Sequence, residues 1–236
     1  MAQYKARPDV SERMKGNKYR LNKSPSNKKH SVNESYFHVI DDEKKAYYLG
    51  LVAADGTVNL NDGYRFAISL NDKHILDEML SDIEYTGAIR GGVNKAGNRY
   101  YTLYLSDKIF VMNLVDKGII PRKTHNMCIP DLPSKLIRHY IRGYLDGDGY
   151  ISNGKLFCVG VAGQKNIIQW IADHLVSQGV IKSNGIHVHT KNKPDGPWVL
   201  KRSQYQARKV CEYIYHEANR YLTRKHNKYM EYCHAV

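Results

Sequence analysis

The sequence predicts an α+β chain of two pseudo-symmetric halves, each running αββαββα, with antiparallel sheets. Three observations predict it. The stretch Tyr48-Leu49-Gly50-Leu51-Val52-Ala53-Ala54-Asp55-Gly56 recurs as Ile141-Arg142-Gly143-Tyr144-Leu145-Asp146-Gly147-Asp148-Gly149, which places Asp55 and Asp148 at equivalent positions 93 residues apart. A similar order of elements can be read after each copy. Hairpin turn signals, Asn61-Asp62-Gly63 and Asn153-Gly154, separate runs in which apolar and polar residues alternate.

The elements follow in order. A helix from about Asp41 to Ala54 opens on acids, which the positive end of a helix dipole favours. The runs from Thr57 to Asn61 and from Tyr64 to Leu70 alternate as half-buried strands do. From Lys73 to Ile83 the apolar residues Ile75, Leu76, Met79, Leu80 and Ile83 recur at helical spacing. A second hairpin runs from Ala88 to Lys95 and from Arg99 to Ser106, turning at Ala96-Gly97-Asn98, and a helix from Asp107 to Lys117 stops before Gly118 and Pro121. In the second half Pro133 opens a helix to Gly147, since proline suits a first helical turn. Strands from Tyr150 to Ser152 and from Lys155 to Val161 come next, then a helix from Lys165 to Gln178 ended by Gly179. A hairpin from Gly185 to Lys191 and from Trp198 to Ser203 leads to helices from Gln204 to the C-terminus.

In both motif copies small residues recur four apart, at Ala46, Gly50 and Ala54 and at Gly143 and Gly147, and so share a helix face. Such spacing lets two helix backbones approach closely. If the two copies pack on each other, Asp55 and Asp148 meet at the helix C-termini, where unpaired carbonyls already carry partial negative charge. Two carboxylates there repel unless cations lie between them. An all-oxygen donor set of this kind suits Mg²⁺ or a similar hard divalent ion.

The composition agrees with a polyanionic partner. At 236 residues the chain can bury a sizeable core, and its formal charge is +13 with a pI near 9.4. No long apolar run or basic amphipathic anchor is present, so nucleic acid is favoured over membrane. Residues 1–38 hold nine basic residues, Arg13, Lys18 and Arg20 among them, against three acids and almost no aliphatic periodicity. They are expected to form a basic arm that tracks phosphates, followed by one half at 39–130 and a second at 131–236. Cys128, Cys158, Cys211 and Cys233 are scattered without a CxxC pair and read as reduced, mostly buried thiols. His187 and His189 share a strand face and read as a polar surface in preference to a metal pair. With 19 Tyr against 4 Phe, the chain suits surfaces that need apolar area with a hydrogen-bonding tip. No secretory signal is visible at the N-terminus, which reads as an intracellular protein: cytoplasmic in a prokaryote or phage, in an organelle or the nucleus in a eukaryote.

Both motif copies resemble the signature of the LAGLIDADG homing endonucleases. Gly50, Ala54, Asp55 and Gly56 match in the first copy, and Gly143, Asp146, Asp148 and Gly149 in the second. Ala53 replaces the signature's first Asp, and Arg142 and Tyr144 stand where small or aliphatic residues are usual. The resemblance covers about residues 39–232. It implies a monomeric, two-motif endonuclease with saddle-shaped sheets that hydrolyses both strands of a long, asymmetric double-stranded DNA site and leaves short 3′ overhangs. It further implies metal ligation by Asp55 and Asp148 with the backbone of Ala54 and Gly147, with Mg²⁺ as cofactor, Mn²⁺ substituting, and Ca²⁺ supporting binding without cleavage. Pro121-Arg122-Lys123 and Thr223-Arg224-Lys225 occupy similar places after the last helices of their halves. By resemblance Lys123 and Lys225 stabilise transition-state charge and order the attacking water, and Gln164 holds water at a strand-to-helix corner.

The polar phase of the strands supplies the DNA-contact candidates. These are Thr57, Asn59, Asn61, Arg65, Ser69, Arg90, Tyr100, Thr102 and Tyr104 in the first half and Lys155, His187, His189, Lys191, Lys201 and Ser203 in the second. In the resembled family this surface lies in the major groove, where all four base pairs can be told apart. The competing reading is an intron RNA maturase or a non-cleaving DNA-binding regulator on the same fold.

Overall fold

A computed structural model describes residues 29–61, 63–121, 127–189 and 196–234. The first half runs α1 (Glu43–Asp55), β1 (Gly56–Asn59), β2 (Arg65–Leu70), α2 (Lys73–Asp82), β3 (Arg90–Val93), β4 (Arg99–Ser106) and α3 (Lys108–Asp116). The second repeats it as α4 (Ser134–Asp148), β5 (Gly149–Asn153), β6 (Phe157–Gly163), α5 (Lys165–Ser177), β7 (His187–Val188), β8 (Trp198–Ser203) and α6 (Gln204–Tyr215), and adds α7 (Thr223–His234). The fold is α+β with two antiparallel four-stranded sheets, ordered β1-β2-β4-β3 and β5-β6-β8-β7.

Local chemistry explains most boundaries. Asp42 is the N-cap of α1, its carboxylate accepting from the Lys45 N–H at 2.9 Å, and Asp107 caps α3 by accepting from the Phe110 N–H at 2.9 Å. Asp42 and Asp107 therefore act as caps outside their helices, while Glu43 lies in the first turn of α1, where the helix dipole favours an acid. Pro133 likewise lies at the N-cap of α4, with ψ 136°, and not within its first turn. The edge strands are shorter than the alternation predicts. Strand β3 begins at Arg90, two residues after Ala88, and β7 keeps only His187–Val188 of the run from Gly185. Tyr64 has φ 47°, a left-handed conformation that ends the turn and delays β2 to Arg65.

One face of each sheet is covered. In the first, Val58, Phe66, Ile68, Leu103 and Leu105 are buried; in the second, Ile151, Val159, Val161 and Leu200 are. Together with the apolar faces of the helices they form a single cluster that runs through both halves. Residues Tyr36, Phe37 and Ile40 belong to it, and Asn33 N–H donates to the Ile83 carbonyl at 2.9 Å. The described end of the 1–38 span is therefore part of the first half; Arg13, Lys18 and Arg20 lie outside the described residues.

Two expectations about side chains are corrected by burial. Tyr36, Tyr47, Tyr48, Tyr140, Tyr144 and Tyr215 are all buried, so much of the tyrosine excess serves the interior and not the surface. Of the four cysteines, all free thiols, only Cys211 is buried; Cys128, Cys158 and Cys233 are half-buried. Among the described residues no helix is long and apolar enough to cross a membrane.

Candidate active site

The two motif helices lie side by side and parallel. A Cβ on Gly50 would overlap the carbonyl oxygen of Tyr140, and a Cβ on Gly143 would overlap that of Tyr47. Each glycine thus admits the other helix's backbone, in a reciprocal contact that any larger residue would break. One turn farther on, a Cβ on Gly147 would collide with Ala54 and lie 2.8 Å from a carboxylate oxygen of Asp55. The sequence pattern of small residues four apart therefore places the last turns of α1 and α4 against each other. Asp55 and Asp148 are the final residues of these helices, and β1 and β5 start at the next residue in each half. Asp55 is half-buried and Asp148 exposed.

Below the helix ends lies a buried polar layer whose members come from both halves. Asp146 is fully buried and accepts hydrogen bonds from the Tyr47 hydroxyl at 2.9 Å and the Leu222 N–H at 2.8 Å. Burial pushes its carboxyl up to about 6, against the opposing pull of Lys225, the Leu222 N–H and the Tyr47 hydroxyl. Lys225 is itself 3% exposed. Its Nζ donates to the carbonyls of Leu145 (2.8 Å), Asp146 (2.6 Å) and Gly149 (2.6 Å), capping the C-terminal end of α4 with a cation where the dipole favours one. Burial lowers its pKa to about 8. Gly147 is not among its acceptors.

The departure from the signature at position 142 is explained by a partner in the other half. Arg142 is fully buried, and its Nη2 meets Glu43 Oε1 at 2.6 Å. Its other N–H groups reach the carbonyls of Ile214 and Arg220, both at 2.7 Å, and His139 Nδ1 at 2.9 Å. Glu43 in turn accepts from the N–H and side-chain amide of Asn219, at 2.7 and 2.8 Å. A second set of contacts docks the start of α7 and the segment before it onto α2 and its N-cap: Arg220 pairs with Asp82 at 3.0 Å and Arg224 with Asp72 at 2.8 Å, while the Tyr48 hydroxyl of α1 also donates to Asp82, at 2.9 Å.

Gln164 stands at the N-terminus of α5, where its Oε1 accepts from the Met127 N–H at 3.0 Å. It thus anchors the chain at Met127. Lys123 itself lies outside the described residues, as does Lys191.

Strand register brings the polar residues of each sheet onto one face. Thr57 pairs with Ala67 and Asn59 with Arg65; Ser69 pairs with Thr102, Ala67 with Tyr104, and Arg90 with Thr102. Residues paired across strands project to the same side, so these residues and Tyr100 share the face opposite Phe66 and Ile68. Asn61 is exposed just beyond β1. In the second sheet Lys201 pairs with Gly160, Ser203 with Cys158 and His187 with Val199. His189 is exposed past the end of β7, and Lys155 is exposed in the turn between β5 and β6. The same register adds residues that the phase reading omitted, Tyr150 and Ser152, through their pairs Gly160 and Cys158. They stand 93 residues after Thr57 and Asn59, so the motif offset alone would have found them. Among the described residues no group of three or more His, Cys, Asp or Glu side chains forms a metal cluster.

No family model matches the sequence, and no curated protein matches it. Solved structures do. The homing endonuclease I-WcaI bound to its DNA recognition sequence is 10% identical, over 89% of this chain and 95% of that one, with a TM-score of 0.55. The meganuclease I-SmaMI bound to uncleaveable DNA is 11% identical over 80% and 88%, with a TM-score of 0.54. Full-length DUF199/WhiA from Thermatoga maritima is 15% identical over 85% of this chain and 65% of that one, with a TM-score of 0.52. With its paired Asp-Gly helix ends and a four-stranded sheet leading from each, this chain has the fold of the LAGLIDADG homing endonucleases.

Proposed function

We propose that this chain is a site-specific double-strand DNA endonuclease of the homing type, acting as a monomer on a long asymmetric site. The observation that carries the reading is the reciprocal glycine contact that sets the ends of α1 and α4, and with them Asp55 and Asp148, at the junction of two polar sheet faces. The DNA-bound state of I-WcaI and I-SmaMI supports double-stranded DNA as the partner.

The donor set fits a hard divalent cation: two carboxylates, and helix-end carbonyls at Ala54 and Gly147, with no sulfur or imidazole among these four residues. Mg²⁺ held there would supply an activated water and offset charge on the leaving 3′ oxygen. Asp55 and Asp148 would hold the ion, one from each half. Lys225 keeps positive charge directly behind the second carboxylate by spanning three carbonyls, and Lys123 is its proposed counterpart for the other strand. The sheet residues from Thr57 to Tyr104 and from Tyr150 to Ser203 would read base edges, while Arg and Lys side chains fix the duplex through phosphates. An RNA partner belongs to the competing maturase reading. WhiA, whose name is not that of a nuclease, shares the fold, and this observation keeps a non-cleaving DNA-binding role as the second reading.

Cleavage of a plasmid carrying the uninterrupted host locus, with Mg²⁺ against EDTA, separates the two. Linear product in Mg²⁺ that is lost in EDTA and in both Asp55→Asn and Asp148→Asn, with Ca²⁺-supported binding retained, is the expected result. Tight binding without any cleavage would overturn the nuclease reading in favour of the second.

A further inference from the structure

Tyr144 stands four residues before Asp148 on α4, so the two side chains share a helix face. The tyrosine is fully buried, yet its hydroxyl has no hydrogen-bond partner of normal geometry among the described residues. A buried hydroxyl left unpaired costs about 1–3 kcal/mol, a cost that phenylalanine in the same space would not carry. The surroundings are nevertheless shaped for the oxygen. A Cβ on Gly163, at the end of β6, would collide with it, so glycine at that position keeps the space open. After burial, the charge of Asp148, a hydrogen bond toward its carboxylate and the charge of Asp55 hold the phenol far above its ordinary range, and it remains an O–H donor. The first half has nothing comparable: the position 93 residues earlier is Leu51.

We propose that Tyr144 is a positioning residue of the metal site, whose O–H donates to one oxygen of the Asp148 carboxylate and leaves the other to a divalent cation shared with Asp55. The proposal rests on the metal reading above and deepens it. Asp148 is exposed at a helix end, so an ion must hold its carboxylate in one orientation. A buried donor on the same helix favours that orientation, and ligating carboxylates are commonly held by such outer hydrogen bonds. The hydroxyl, already directed at Asp148 without a hydrogen bond of normal geometry, is then a donor whose contact is completed when Asp148 takes up its ligating orientation. The two metal ligands are therefore unequal, one steered by a phenol and the other by packing against Gly147.

The test is Mn²⁺ binding by the full chain, read from the loss of the free-ion EPR signal, for the wild type, Tyr144→Phe, Asp148→Asn and the double variant. Tyr144→Phe is expected to weaken Mn²⁺ binding about tenfold, while its melting temperature stays the same or rises because an unpaired buried hydroxyl has been removed. In the Asp148→Asn background the same change should add little, since the two groups act together. Equal Mn²⁺ affinity in Tyr144→Phe and the wild type overturns the proposal and leaves the metal reading standing. A full additional loss in the Asp148→Asn background also overturns it. If the wild type binds no Mn²⁺, the metal reading falls and takes this proposal with it.

Discussion

Gly50 and Gly143 occupy each other's helix: the space where a Cβ would stand on one is filled by the backbone carbonyl preceding the other by three residues, Tyr140 for Gly50 and Tyr47 for Gly143. Because the colliding atoms are backbone, neither side can relax by a rotamer change. Gly50→Ala and Gly143→Ala are each expected to destabilise the chain by about 3 kcal/mol, the upper end of ordinary overpacking. Urea unfolding would measure this. An unchanged midpoint for either variant would show that the helices separate readily, and the carboxylate pairing would lose its support.

The fully buried Arg142 pairs with the half-buried Glu43 and so joins the halves. Glu43→Ala should cost about 3–5 kcal/mol by leaving a guanidinium buried without its counter-charge. The double replacement Glu43→Leu with Arg142→Met should recover much of that loss. Denaturant midpoints for the wild type and the two variants decide it: a double variant no better than Glu43→Ala would mean that the arginine's bonds to the Ile214 and Arg220 carbonyls matter more than its charge.

His139 sits against this pair. Burial first, and then the neighbouring Arg142 charge, lower its pKa to about 4. Its folded value lies below its unfolded value near 6.5, so between these pH values the unfolded chain binds the extra proton. Stability from this group is therefore fully present above about pH 6.5 and falls away as the pH drops through 4, by up to about 3 kcal/mol. His139→Asn should flatten the stability profile over that window, as followed by thermal unfolding at steps of pH.

Lys225→Met removes three hydrogen bonds to the end of α4 and the cation behind Asp148. Nicked plasmid should accumulate, with one strand cut far more slowly. By analogy with deletion of a single oxyanion donor the loss is about 2.7–4 kcal/mol in the affected step. Strand-labelled duplex gives the readout, and Lys123→Met should spare the opposite strand. Equal slowing of both strands by Lys225→Met would reassign this lysine to a purely structural role.

Deleting residues 1–28, which hold eight of the nine basic residues of the N-terminal span, should weaken DNA binding and flatten its salt dependence. Each lost phosphate contact lowers the slope of log affinity against log salt by about 0.9 for B-DNA. Identical slopes with and without the segment would remove it from the interface.

The sequence made the repeat, the helix pairing and the polar strand phases legible because each depends on local periodicity: glycines four apart, carboxylates at helix ends, alternation at a period of two. It did not reveal the layer beneath. Arg142 looked like a defect in the motif because its partner, Glu43, lies 99 residues away. Lys225 was read from its place after a helix as a group facing phosphate, yet its three acceptors are carbonyls 76 to 80 residues earlier. The burial of Tyr47 and Tyr48 was invisible for the same reason, since their acceptors, Asp146 and Asp82, come from elements far along the chain. Edge strands failed differently. Alternation extends past the point where a neighbouring strand is available, so β7 is shorter than its pattern.

The docking of the start of α7 and the segment before it onto α2 and its N-cap limits how such a chain can be recombined. A chimera that replaces the first half with that of another protein of this fold would keep Arg142, Arg220, Arg224 and Asn219 but lose Glu43, Asp82 and Asp72, leaving the buried Arg142, the half-buried Arg220 and the exposed Arg224 without their acids. Exchange of DNA specificity between halves therefore requires those three acids to travel with Arg142 and the segment 219–224, even though none of them lies on a sheet face.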